Sequence, residues 1–301
     1  MAKLDISGII PPMPTPTKPD GSVNLGMVGK LVSHVTSNGC KGVIVFGGTG
    51  ESGAFTVADR AKVVGEAVKA MGGKGPVVAG VVTPYFQDAV ATGRELKAAG
   101  ADVLLVVPPT LERPSQQGIR DYYKAYKEKL DMPIMTYDEP HVFHCTIDVQ
   151  THANTVADGS VDVIKCANKD VEHFNLLVGA INGRVPLLAG TSGVLPVFAT
   201  LGAVGGTIGN AALLPATFVE IFNLAKAGNL QEAIRIHRSL SEFVKVLQGN
   251  YKASFKAAFK LLGMDCGDPQ MPTRPLSAAE LEKLAEAFKT LQSTGVLKEA
   301  A

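Results

Sequence analysis

The sequence has almost no excess charge of either sign: 29 lysines and arginines stand against 28 aspartates and glutamates, for a net charge of +1. Without a basic face there is no electrostatic footprint for nucleic acid. The one local cluster, Lys124, Lys127 and Lys129, reads as a single solvated side of a helix. Cysteine is also scarce. Cys40, Cys145, Cys166 and Cys266 form no CxxC pair and no paired spacing, which argues against a zinc ribbon or a disulfide framework and suits reduced thiols in the cytoplasm. Long apolar runs are missing too: no stretch reaches the roughly 18 to 20 residues of a membrane span. The N-terminal MAKLDISGIIPPMPTP has neither the apolar core of a secretory signal nor an Arg/Ser-rich transit pattern. The expectation is a soluble cytoplasmic protein that engages neither nucleic acid nor membrane.

What is present is a chain of 301 residues, 46% hydrophobic, long enough to bury a large core. Eight short apolar runs punctuate it: SGIIPPMPTP, GVIVFGG, PVVAGVV, ADVLLVVPP, PIMTYDEP, VDVIKCAN, VPLLAG and GGTIGN. Between most of them lie stretches such as DRAKVVGEAVKAM, IRDYYKAYKEKL and VEHFNLLVGAI, with apolar residues three and four apart. Alternating strands and helices imply a parallel sheet buried on both faces, which is why the runs are apolar throughout. Eight units without a linker or composition shift predict a closed (β/α)8 TIM barrel over residues 1–215. Beyond GGTIGN only helical patterns follow, so residues 216–301 are expected to form a C-terminal helical extension with a structural or interfacial role.

In such a barrel the chemistry sits at the C-terminal ends of the strands, and three runs end in polar residues: GGTGES, TYDEP and KCANKD. Lys165 leaves an apolar strand among Val161, Val163, Ile164, Cys166 and Ala167. Desolvation there disfavours the ammonium form and makes a nucleophile able to form an iminium with a ketone. A lysine that merely neutralises a neighbouring carboxylate would read the same way. Tyr137 ends the adjacent strand, about 5 Å away, where a phenol can shuttle protons or simply pack its ring.

The loop Gly47-Gly48-Thr49-Gly50-Glu51-Ser52-Gly53 matches the GxGxxG dinucleotide pattern. Thr56-Val57-Ala58-Asp59, however, reads as a capping box that starts the helix several residues later, and VVAGVV lacks the ribose-binding acid at its end. A glycine and threonine turn of this kind can instead present N–H groups to a carboxylate. Glu139, His141 and His144 look superficially like metal ligands, yet residues 141 and 144 point to opposite sides of an extended segment and no third ligand follows at a suitable spacing.

The order of these motifs, GGTGE closing strand two, tyrosine closing strand five and lysine closing strand six, resembles the dihydrodipicolinate synthase and N-acetylneuraminate lyase superfamily. So do PPMPTP with its following DG, PPTLERPSQQG after strand four and the closing RPLSAAELEKL, and the resemblance covers nearly the whole chain. It implies a class I lyase that needs no metal and no cofactor. Lys165 would form an imine with a 2-oxo acid such as pyruvate, Tyr137 would relay protons, and Gly48, Thr49 and Gly50 would hold the substrate carboxylate. Asp138, Glu139, Gly190 and Thr207, at further strand ends, complete the expected substrate contacts, with both acids facing the pocket. A homotetramer, a dimer of dimers, is the assembly the resemblance implies.

The sequence also departs from the synthase pattern. Gly48 stands for the first of two threonines, Leu111 where a second tyrosine belongs, and Val142 where an arginine binds the incoming semialdehyde. Gly47 to Glu51 with Leu111 is closer to the dehydratases of deoxy-keto sugar acids, although Asp138 and Glu139 replace their asparagine-arginine pair. The expected reaction is therefore cleavage or dehydration of a 2-oxo-3-deoxy sugar acid, with the synthase condensation, or a non-catalytic acid-binding member of the family, as the alternatives.

Overall fold

The structure is a computed structural model and describes residues 5–83, 85–109 and 113–297. Its eight strands fall on the eight apolar runs: β1 (Gly8–Ile9), β2 (Val43–Val45), β3 (Val77–Val81), β4 (Val103–Val106), β5 (Ile134–Asp138), β6 (Val163–Cys166), β7 (Leu187–Ala189) and β8 (Gly205–Gly206). All pair in parallel, in the order β1-β8-β7-β6-β5-β4-β3-β2. The remaining seam is closed by backbone bonds: the N–H of Lys41 donates to the Ile9 carbonyl at 2.8 Å, and that of Ile44 to Pro11 at 2.9 Å. The chain is a (β/α)8 barrel.

Successive strand residues face opposite sides of a sheet, and the barrel sorts them accordingly. Ile10, Ile44, Val78, Leu105, Met135 and Leu188 belong to a sealed interior cluster, against which Tyr137 packs. Ile164, Cys166, Leu104 and Val106 join the larger shell between strands and helices. Because Met135 and Val163 point inward, so do Tyr137 and Lys165, two residues further along their strands.

The covering helices begin where capping allows. The Thr56 hydroxyl accepts the Asp59 N–H, so that helix spans Val57–Met71, and a separate short turn, Ser52–Ala54, lies between it and the glycine loop. No helix springs from the glycines, as a dinucleotide site would require. Of the three clustered lysines, Lys127 is anchored on Asp162 at 2.6 Å. Among the described residues no helix is long and apolar enough to cross a membrane.

Past β8, helix Pro215–Lys226 buries Phe218, Ile221 and Phe222, and residues from Leu230–Ser239, Ser241–Gly249, Tyr251–Leu261 and Ala278–Ser293 share the same outer core. A buried ion pair ties this part to the barrel: Lys256 and Glu51 are 2.8 Å apart, each side chain only 2% exposed. The Glu51 carboxylate also accepts the Gln270 N–H at 2.7 Å, and the Lys256 ammonium donates to the Asp268 carbonyl at 2.9 Å. A buried charge left without its partner is costly. We expect Lys256→Met to lose about 3–5 kcal/mol of unfolding free energy in denaturant titration, and Lys256→Met combined with Glu51→Leu to recover part of that loss.

Candidate active site

The loop leaving β2 is held in unusual backbone geometry. Phe46 (φ 56°) and Glu51 (φ 52°) both occupy the left-handed region, which non-glycine residues visit at a cost and which clusters at functional sites. Between them, Gly50 packs against backbone: a Cβ there would lie 2.8 Å from the Phe46 nitrogen. Its carbonyl accepts the Thr15 hydroxyl at 2.7 Å. Gly50 therefore shapes the loop and, contrary to the sequence expectation, does not line the pocket. Gly48 and Thr49 do. A Cβ on Gly48 would sit 3.9 Å from the Tyr137 phenol oxygen, so the glycine keeps the space beside that hydroxyl open.

The cavity at the C-terminal mouth of the barrel has a volume of about 840 Å³ and includes Tyr137, Glu139, Lys165, Gly190 and Thr207 among its walls. The β5–β6 register puts Tyr137 directly opposite Lys165. The Lys165 amine lies 3.5 Å from the centroid of the Tyr137 ring, and the Tyr137 ring is itself wedged edge-on against Phe143, at 5.1 Å. Two influences compete at the amine. The ring face and the Glu139 carboxylate favour its charged form, while burial at 2% exposure opposes it. Burial dominates, and the Lys165 ammonium is pulled down from the usual lysine range to about 7. Burial also raises the Tyr137 phenol, helped by Glu139, and raises the Glu139 carboxyl, with His141 and Lys169 opposing. The result is an amine that is substantially neutral near neutral pH, beside a phenol that keeps its proton.

Asp138 is elsewhere. Next to the inward Tyr137, it faces outward into the layer between sheet and helices, fully buried. There it lies 3.2 Å from His173 and 3.7 Å from His152. The expectation that both Asp138 and Glu139 face the pocket thus holds for Glu139 and fails for Asp138, because a strand end still alternates. Of the candidate metal ligands Glu139, His141 and His144, the first two line the pocket and His144 does not. Gly190 and Thr207 sit in its far wall. Thr207 is 1% exposed and its hydroxyl reaches the Ala189 carbonyl at 3.4 Å. Leu111 lies outside the described residues. Val142 lines the mouth, 62% exposed.

Sequence reading missed the contribution of the last helices. Val244, Gln248, Tyr251 and Lys252 form one side of the mouth, so the C-terminal part does more than support the barrel. The Tyr251 and Thr49 hydroxyls are 3.3 Å apart; burial pushes the Tyr251 phenol up to about 12, with Thr49 opposing. Lys169, Ser192 and Asn210 complete the polar lining. One signal was present: KCANKD places a second lysine, Lys169, four residues beyond Lys165, in the loop that leaves β6.

Comparison with known proteins agrees with this geometry. A 4-hydroxy-tetrahydrodipicolinate synthase of Desulforudis audaxviator is 29% identical over 302 residues, covering 96% of this chain and 99% of its own. A crystal structure of dihydrodipicolinate synthase from Aquifex aeolicus superposes with a TM-score of 0.89 at 27% identity, covering 97% of this chain and 99% of that one. A sialic acid aldolase of Ruminococcus gnavus, solved as a catalytic lysine mutant, shares the fold at a TM-score of 0.91 and 20% identity, over 97% and 99% of the two chains. Residues 5–291 match the model of the Dihydrodipicolinate synthetase family, and the chain belongs to that family of lysine Schiff-base lyases.

Proposed function

We propose that this lyase forms an iminium between Lys165 and pyruvate and condenses the resulting enamine with an aldehyde that carries its own carboxylate and ammonium. The single observation that carries the reading is the buried Lys165 amine lying over Tyr137 at the end of β6. The neutral amine attacks C2 of the 2-oxo acid. Tyr137 hands a proton to the carbinolamine hydroxyl, which leaves as water. The iminium withdraws electrons from C3, a C3 proton departs, and the enamine carbon attacks the aldehyde to form the new C–C bond. The aldehyde oxygen takes up a proton, and water then releases the product from Lys165. Gly48 and Thr49 meet the pyruvate carboxylate through backbone N–H groups and the threonine hydroxyl.

The condensation is the reaction named for the Desulforudis relative, and the pocket mouth suits it. Lys169 and Lys252 offer charge to a second carboxylate, and Glu139 offers it to an ammonium. A second reading, cleavage or dehydration of a 2-oxo-3-deoxy sugar acid, is favoured by Gly48 and Val142, which stand where the synthase carries a threonine and an arginine. Pyruvate consumption with aspartate semialdehyde, measured beside pyruvate release and water loss from a panel of 2-oxo-3-deoxy sugar acids, separates the two. The proposal expects turnover in the first assay. Activity confined to the sugar acids would overturn the condensation while leaving the imine chemistry intact. A cytoplasmic homotetramer is the assembly expected, and light scattering reads its mass.

The acid limb of kcat/KM reports the ionisation of the free enzyme. Since the reactive form of Lys165 is the neutral amine, kcat/KM is expected to fall about tenfold per pH unit below about 7. Glu139 favours the ammonium, so Glu139→Gln should move this limb to lower pH. A profile flat down to pH 5 would be inconsistent with Lys165 as the titrating nucleophile.

A further inference from the structure

On the outer face of the barrel, one residue past the catalytic tyrosine, three side chains converge that the Schiff-base chemistry does not use. Asp138 ends β5, His152 comes from helix Val149–Ala157, and His173 from the first turn of helix Val171–Ile181. One donor atom from each lies within 4.8 Å of the other two. The Asp138 carboxylate and the His152 ring are completely buried, and His173 is 13% exposed. Nevertheless Asp138 Oδ2, His173 Nε2 and both ring nitrogens of His152 have no hydrogen-bond partner. The His173 ring, 3.2 Å from the carboxylate oxygen, approaches it without the alignment of a hydrogen bond, and the His152 ring, at 3.7 Å, lies beyond hydrogen-bond distance. Buried polar atoms are nearly always partnered, and four orphans in one place ask for an ion or water between them. His152 is the sharpest case, since a neutral imidazole has one donor and one acceptor to satisfy.

The carboxylate-to-imidazole spacings of 3.2 and 3.7 Å are those of ligands on a small cation. Ligand atoms at about 2.0–2.2 Å from zinc in a tetrahedron lie roughly 3.3–3.6 Å apart. Two imidazole nitrogens and a carboxylate oxygen suit a divalent first-row metal, zinc first among them.

We propose that Asp138, His152 and His173 form a zinc site, with water in the fourth position, that ties the end of β5 to the two helices covering β5 and β6. The site faces away from the reaction cavity, so the metal takes no part in iminium formation. It fixes the strand end from which Tyr137 and Glu139 enter the pocket.

The test uses the full-length protein, stripped with a chelator and returned to zinc or cobalt. The wild type is expected to bind one zinc ion per chain in competition with a chromophoric chelator, to melt at a higher temperature with zinc than without, and to give the intense visible band of tetrahedral cobalt. His173→Gln and Asp138→Asn should lose the cobalt band, while His144→Ala, which alters only an exposed histidine nearby, should keep it. Far-ultraviolet circular dichroism shows whether each variant is folded. Should the variants fail to fold, the wild-type titration still decides. A wild type with neither zinc-dependent melting nor a cobalt band overturns the proposal, as does a band that survives in folded His173→Gln and Asp138→Asn. Borohydride trapping of pyruvate on Lys165 is independent of either result.

Discussion

Lys165→Ala is expected to remove turnover almost entirely, with kcat falling on the order of 10⁶-fold, the scale of deleting a covalent nucleophile. The reasoning starts from burial. A lysine stem leaving an apolar strand into a sealed barrel loses the water that would solvate an ammonium, and its pKa falls to about 7. No neighbouring residue can substitute. Lys169 also lines the pocket, but it lies in the loop beyond the end of β6, off the register that sets Lys165 opposite Tyr137. Lys165→Arg should fare no better, because a guanidinium stays protonated and cannot form the imine. Steady-state kinetics on folded variants check this, and retention of more than about one per cent of wild-type kcat would contradict the covalent route.

The second large effect belongs to Tyr137. Tyr137→Phe keeps the ring that lies over the Lys165 amine and packs on Phe143, while removing the proton it carries. General acid–base catalysis of this kind contributes about 10² to 10⁴-fold, so kcat should drop within that range. The imine with pyruvate should still form, though more slowly, because attack by the amine does not require the phenol. Single-turnover mixing separates the steps: slowed water loss at unchanged pyruvate affinity supports the relay. A variant with normal kcat would show that Tyr137 is only a packing residue. Tyr251, whose hydroxyl meets Thr49, is not set opposite Lys165 by the strand register as Tyr137 is, and Tyr251→Phe is expected to cost less.

Much of this was legible in the chain before any coordinates. Apolar runs of four to eight residues between amphipathic stretches are the signature of strands buried on both faces, and each of the eight proved to be one. The pairing of Tyr137 with Lys165 followed from two runs that end in polar residues on neighbouring strands. Three helices gave weak signals. Leu25–Ser37 carries glycines and β-branched residues, Val149–Ala157 is short, and Leu195–Leu201 has only seven residues with a proline near its start. Each is stabilised by docking on the sheet more than by local propensity.

The errors at the site have the same origin. Asp138 and Glu139 looked equivalent because both follow Tyr137, although the strand's period of two already placed Asp138 on the opposite side from its neighbour. Gly50 belonged by pattern to a carboxylate-binding turn, but the crowding that requires a glycine there, from the Phe46 backbone and the Met13 carbonyl, arises only from the folded path of the loop. Tyr251 and Lys252 were invisible because which face of a C-terminal helix meets the barrel mouth is fixed only when the helices dock. His152 and His173 likewise sit on separate helices, and only the fold brings them to Asp138.

The central claim is that Lys165 holds the substrate as an imine, and the most direct measurement is reductive trapping. The protein is incubated with pyruvate and sodium borohydride, digested, and its peptides are weighed and sequenced by mass spectrometry. A reduced pyruvyl adduct on Lys165, absent without pyruvate and absent from Lys165→Ala, is the predicted result. An adduct on Lys169 or Lys252 instead, or none with pyruvate or any other 2-oxo acid under conditions of full activity, would contradict the account.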